Sequence, residues 1–167
     1  MNNWEKCLVK GDLGELLITS YLKERGYTIY SPLEKGSHPI DRLIIKDLKV
    51  VAFDIKCKNK RDKYDSTGYD YADHKKYLEL NKKADVWIFF VDDKLGNIYC
   101  QSLDKLITFV SADDGTGNIK SHPFVEPAMN HETGLIRNVI YFHMSQLIKV
   151  CSIPEKYLTK LRSLKEK

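Results

Sequence analysis

Asp54 and Lys56 stand two residues apart where the apolar run Val50-Val51-Ala52-Phe53 ends. In an extended strand, residues two apart share a face, so a carboxylate and an ammonium group point the same way. Ile55 then points to the opposite side and Lys58 continues the polar row. Asp-x-Lys triplets are cheap, and this chain has four: Asp47/Lys49, Asp54/Lys56, Asp73/Lys75 and Asp92/Lys94. The first and last fall at expected turns, where solvated polar residues are ordinary, and Asp73/Lys75 falls on an expected helix, where residues two apart diverge. Only Asp54/Lys56 interrupts the core of an expected strand, and charge there is costly unless it is paired or binds a metal.

Two further acids keep company with this pair. Pro39-Ile40-Asp41 precedes it, with Asp41 thirteen positions upstream of Asp54 at the mouth of an expected partner strand, and Glu15 lies on an otherwise apolar stripe of the first expected helix. Carboxylates that converge suit Mg²⁺, a hard cation that seeks oxygen, and a nearby lysine suits an attacking water or a phosphate. Each residue also has an ordinary reading. Asp54 and Lys56 could form a cross-strand ion pair on a solvated face, Asp41 could begin a strand or cap the turn after Pro39, and Glu15 could be an exposed helical glutamate.

The elements that must position these residues follow from periodicity. Trp4 to Arg25 carries Leu13, Leu16, Leu17 and Tyr21 at helical spacing and ends at Gly26. Tyr27 to Ser31 predicts a first strand, followed by a polar loop from Leu33 to His38. Asp41 to Lys46 and Lys49 to Lys58 predict a hairpin turning at Asp47-Leu48. The polar, basic stretch Asn59 to Asp70 predicts a loop, and Tyr71 to Lys83 a helix burying Tyr77, Leu78 and Asn81. Val86 to Val91 is continuously apolar and predicts a strand covered on both faces.

After a turn at Asp92 to Asn97, a strand is expected over Ile98 to Gln101 and a short helix or crossover over Leu103 to Val110. Ser111 to Arg137, with Gly115, Gly117, Pro123, Pro127 and Gly134, predicts surface loop. Asn138 to His143 predicts the last strand. Ser152 and Glu155 read as a capping box with Pro154 in the first turn, opening a C-terminal helix over 152–167 with Leu158, Leu161 and Leu164 on one side. This order implies one α/β domain over residues 1–167, a central mixed β-sheet flanked by helices.

Bulk properties bound the function classes. A chain of 167 residues, 43% hydrophobic and 30% charged, can bury one ordinary core, and a net charge of +4 favours an anionic partner only mildly. Cys7, Cys57, Cys100 and Cys151 form no CxxC pair, which argues against a zinc site or a disulfide scaffold and for reduced structural thiols. His122, His131 and His143 make no HxH or HExxH arrangement, and no nucleophile elbow is present. No apolar run approaches the about 20 residues that span a bilayer. Met1 to Lys10 lacks a signal-peptide core, so no membrane association and a cytoplasmic location are expected.

The order Gly14-Glu15, His38-Pro39-Ile40-Asp41, Phe53-Asp54-Ile55-Lys56 and the strand at Val86 resembles the PD-(D/E)xK nuclease superfamily, in the style of its small Holliday-junction-resolvase-like and phage members. The resemblance covers roughly the first half of the chain. Asp54 stands where glutamate is more frequent, and Pro39 lies two residues before Asp41 rather than beside it. The resemblance implies a restriction-endonuclease-like core and a Mg²⁺-dependent endodeoxyribonuclease, with Mn²⁺ as a substitute metal, structure-directed or weakly sequence-specific.

It also implies that Asp41, Asp54 and the Ile55 carbonyl bind metal, that Glu15 serves a second metal or its water, and that Lys56 orients or helps deprotonate the attacking water. Branched or duplex DNA is the implied partner, and a homodimer would let two sites cut paired strands. The alternative is an inactive nucleic-acid-binding module that keeps the nuclease fold.

Five of the eight residues from Lys56 to Lys63 are basic. A run leaving such a site could track a phosphate backbone through Lys58, Lys60, Arg61 and Lys63, with His74 and Lys75 on the next helix. Tyr64, Tyr69 and Tyr71 interleave with this charge and could stack on unpaired bases. A merely solvated loop is the ordinary alternative.

Overall fold

A computed structural model describes residues 3–31, 38, 40–46, 49–129 and 135–164. Pro39, the expected loop residues 33–37, the expected turn residues Asp47 and Leu48, His131, Gly134 and residues 165–167 lie outside them. The protein is mixed α/β, with a central mixed sheet flanked by helices. Helix α1 (Asn3–Lys23) is followed by strands β1 (Thr28–Tyr30), β2 (Arg42–Lys46) and β3 (Lys49–Lys56), then β4 (Ser66–Asp70), helix α2 (Tyr71–Asn81), β5 (Asp85–Asp92) and β6 (Asn97–Ser102). Next come the short helix α3 (Leu103–Leu106), β7 (Val110–Asp113), β8 (Ile119–His122), β9 (Phe124–Met129) and β10 (Ile136–His143). A 3₁₀ turn over Met144–Gln146 leads into β11 (Ile148–Ser152) and helix α4 (Glu155–Ser163).

Six strands form the central sheet in the order β1-β2-β3-β5-β6-β11. Only β3 and β5 run parallel, because the chain returns between them through β4 and α2. The other four pairings are antiparallel. Strict alternation divides the two inner strands. Phe53, Phe89 and Val91 pack with Leu13, Leu17 and Ile18 of α1 and with Leu158 and Leu161 of α4. Ala52, Ile88 and Phe90 pack on the other side with Tyr77 of α2, Leu103 and Leu106 of α3, and Ile140 and Phe142 of β10. A strand covered on both faces cannot show polar alternation, which is why Val86 to Val91 reads as an unbroken apolar run.

Helix α1 ends as its sequence predicts. Gly26 takes φ of 79° and its N–H donates to the Lys23 carbonyl at 2.9 Å, a left-handed stop that a side chain would strain. Gly14 has a different reason to be glycine. A Cβ built there would lie 2.5 Å from Cys57 Sγ, so its absence lets α1 settle onto the end of β3.

The second half departs from expectation. Residues 59–70 are not all loop, since β4 pairs antiparallel with β10, which pairs with β9 in a separate three-stranded sheet. Ser66, Thr67, Gly68 and Tyr69 are all buried, and small polar residues hide a strand from a hydrophobicity reading. Residues 111–129 are likewise not all surface loop: β7 and β8 form a hairpin across Gly115 and Gly117, and β9 follows directly. Pro127 is tolerated because β9 is an edge strand. β10 is not the last strand, for β11 adds to the free edge of β6. The capping box is also absent. Ser152 belongs to β11 and its hydroxyl lies 3.3 Å from Asn97 Oδ1, while α4 begins at Glu155 after Pro154 with no side-chain cap.

Among the described residues, no helix is long and apolar enough to cross a membrane, and Cys57, Cys100 and Cys151 are free thiols.

Candidate active site

Hairpin pairing of β2 with β3 brings Asp41 to Asp54. The last pair of the ladder is Arg42 with Phe53, and one step beyond it the Asp41 N–H donates to the Phe53 carbonyl at 3.0 Å. The Asp41 side chain reaches along the strand, where its Oδ2 accepts the Ile55 N–H at 2.7 Å. Asp54 follows Ala52 onto the α2 side of the sheet and is 6% exposed. Its Oδ2 accepts the Tyr77 hydroxyl at 2.7 Å and lies 3.1 Å from Lys56 Nζ.

Each aspartate thus has one oxygen held by the protein. No donor among the described residues holds either Oδ1.

Their electrostatics mark them as one group. Burial pushes Asp54 up to about 6, against the attraction of Lys56, and the charge of Asp41 raises it further. Asp41 is also raised, by burial first, with the Ile55 hydrogen bond opposing and the charge of Glu15 adding. Lys56 acts on both and lowers both. One buried and one part-buried carboxylate, both raised by burial and each with an oxygen that no described donor holds, have the chemistry of a site for a hard cation.

Helix α2 supplies two members that sequence reasoning assigned elsewhere. Asp73 Oδ2 accepts from Lys56 Nζ at 2.9 Å, and its Oδ1 lies 3.3 Å from Lys76 Nζ. Burial raises Asp73, but the hydrogen bond and charge of Lys56 outweigh it, so its carboxyl sits below its ordinary value. Lys56 is therefore shared between Asp54 and Asp73. Burial would lower its pKa, and the two acids more than reverse that. The signal for Asp73 and Tyr77 was their four-residue spacing, which sets both on one helical face. Reading Asp73 only beside Lys75 obscured it.

Glu15 stands at the rim. Its Oε2 lies 2.6 Å from Arg42 Nη2, so its carboxylate is already paired, although its charge is felt at Asp41. Among the described residues, no three histidine, cysteine, aspartate or glutamate side chains gather as a metal-binding group. A cation here would rest on Asp41 and Asp54, with the Ile55 carbonyl as the nearby backbone oxygen.

The basic residues do not act as one row. Lys58, Lys63 and Lys75 are exposed, whereas Lys60 pairs with Asp65 and Arg61 lies 2.6 Å from Glu126. His74 corrects the sequence reading: it is buried, its Nδ1 is 3.0 Å from the Tyr69 hydroxyl, and burial lowers its pKa. It faces the core and not a ligand. Tyr69 is buried with it, and Asn81 spends its side chain on Asp104 and the Val86 N–H. Asp92, expected as a solvated turn residue, is buried and accepts the N–H groups of Lys60, Lys94 and Leu95 at 2.8, 3.0 and 2.8 Å.

No protein-family model matches this chain, and no curated protein matches it.

Proposed function

We propose that the protein is a Mg²⁺-dependent endodeoxyribonuclease with a restriction-endonuclease-like core, structure-directed or weakly sequence-specific. The observation that carries this reading is the meeting of Asp41, Asp54 and Lys56 at the end of the paired strands β2 and β3, where burial raises both carboxyls and the charge of Lys56 reaches both. Asp41 and Asp54 would hold the ion, with the Ile55 carbonyl beside them. Bound there, it would polarise the phosphate and lower the pKa of a water.

The protein's own part is positioning. The Ile55 N–H fixes Asp41, and Tyr77 fixes Asp54. Lys56, held charged between Asp54 and Asp73, is placed to meet the water or a non-bridging phosphate oxygen. Glu15, paired with Arg42, would serve an outer water rather than the first ion.

A second reading has its own support. Lys56 is tied by two acids and Glu15 by Arg42, the state expected of an inactive nucleic-acid-binding module that keeps the fold. One assay separates the two. Supercoiled, linear, single-stranded and branched DNA are incubated with and without Mg²⁺, using wild type, Asp54→Ala and Lys56→Ala. The nuclease reading expects cleavage that needs Mg²⁺ and is lost in both variants. Cleavage surviving in both would overturn the site. Binding without cleavage would favour the module. Light scattering at 19.4 kDa would count against a homodimer.

A further inference from the structure

A cleft of about 460 Å³ opens between the first turns of α1, the segment following β3 and one face of the β4-β10-β9 sheet. Its walls include Lys10, Lys58, Arg61, Arg137, Tyr141 and a single acid, Asp70. These residues come from separate elements, so no run in the sequence announces them. Arg137 and Tyr141 lie in a stretch that sequence patterns predicted partly as loop.

The cations are held but not used up. Lys10 Nζ lies 3.1 Å from Asp93, whose side chain is wholly buried behind the wall. Arg61 Nη1 meets Glu126, which does not line the cleft, and its guanidinium lies 4.4 Å from the centre of the Tyr141 ring and 4.3 Å from that of Tyr64. Arg137 spends Nη1 on Asp70 at 3.0 Å. Lys58 is exposed and, among the described residues, has no ion-pair partner. Arginines pinned by one nitrogen keep planar N–H groups for a phosphate, and pinning reduces the entropy lost on binding.

Position and size restrict the ligand. None of Asp41, Asp54, Lys56 and Asp73 lines the cleft, but the chain ties its wall to them, for Lys58 follows Lys56 by two residues and Asp70 precedes Asp73 by three. Its volume is that of a small-ligand pocket and is too small for a duplex. Cations spread over three elements suit a chain of phosphates better than one anion.

We propose that this cleft takes an unpaired stretch of polynucleotide adjoining the Asp41/Asp54/Lys56 site, which makes flapped or branched DNA the substrate class. The proposal rests on the nuclease reading, and its test is made to fail separately. Binding of a labelled oligothymidine of about ten nucleotides and of a blunt duplex is measured by anisotropy in EDTA. The proteins compared are wild type, Lys58→Glu, Arg137→Ala and the double variant, with circular dichroism reporting the fold.

The expected result is a loss of about tenfold or more for the single strand in the double variant, a shallower salt dependence, and a change under about threefold for the duplex. Lys58→Glu is an exposed change and keeps the test valid if Arg137→Ala unfolds. Equal loss on both ligands, or none on the single strand, overturns the cleft. Failure of the nuclease reading shows instead as absent Mg²⁺-dependent cleavage with single-strand binding intact.

Discussion

The Tyr77 hydroxyl donates to Asp54 Oδ2 at 2.7 Å across the contact between α2 and β3. Its hydrogen bond and the charge of Lys56 both favour the ionised carboxylate, against the burial that disfavours it. Removing that hydroxyl alone keeps the ring in the core and leaves a buried carboxylate with one fewer donor. Tyr77→Phe is therefore expected to lose about 1–2 kcal/mol in urea unfolding at pH 8 and less at pH 5, and to move the acidic limb of any cleavage profile to higher pH. An equal loss at both pH values would show that the hydroxyl does not act through Asp54.

Asp54 itself makes folding pH-dependent. Its carboxyl is raised from 3.8 to about 6, so the folded chain binds that proton more tightly than the unfolded one. The resulting stability is fully present below about pH 4 and is lost as pH rises through about 6, at a cost near 2–3 kcal/mol once the group is ionised. Asp54→Asn is expected to gain melting temperature relative to wild type as pH rises from 5 to 8. Added Mg²⁺ should stabilise wild type more at pH 8 than at pH 5 and leave the variant unmoved, because binding must displace the proton. Thermal scans across that range, with and without the ion, decide it.

Much of this arrangement was legible in the sequence, for an identifiable reason. Asp54 and Lys56 violate the pattern of an otherwise apolar strand, and a hairpin allows only a few registers, so Asp41 had to fall nearby. Asp73 was legible only in part. Its four-residue spacing from Tyr77 sets both on one helical face, but its reach to Lys56 across seventeen positions is set by how α2 returns over the sheet. β4 escaped because Ser66, Thr67 and Gly68 are buried without being apolar, and Arg137 gained a site role only through the pairing of β10 with β4. His74 was misread because its partners, Tyr69 and Tyr71, turn it inward, which composition alone could not show.

Lys56 separates two acids, Asp54 at 3.1 Å and Asp73 at 2.9 Å. Lys56→Met keeps most of the aliphatic stem but leaves two carboxylates facing each other in a half-buried setting. The expected cost is about 2–3 kcal/mol at pH 8, falling at pH 5 where Asp54 takes up its proton. The double change Lys56→Met/Asp73→Asn should recover at least half of the loss, since it removes one of the opposed charges. A double-mutant cycle in urea reads this directly, and strict additivity would mean that the two residues do not interact.

Gly14 tests how tightly α1 must seat for the site to form. Its missing Cβ leaves room for Cys57 Sγ, which would otherwise stand 2.5 Å away, with Ile55 Cγ2 at 3.4 Å. Helix propensity alone would make Gly14→Ala stabilising by about 1 kcal/mol. Overpacking against the end of β3 acts in the opposite direction, typically by about 1–3 kcal/mol, because Cys57 Sγ is part-buried and held near the Lys10 carbonyl at 3.2 Å. The variant is therefore expected to be less stable than wild type, and to lose Mg²⁺-dependent stabilisation as Ile55 and its hold on Asp41 shift. Gly14→Ala/Cys57→Ala should regain the stability by removing the clashing sulfur. A single variant more stable than wild type would show that α1 can slide without cost, and that its seat does not set the geometry of Asp41.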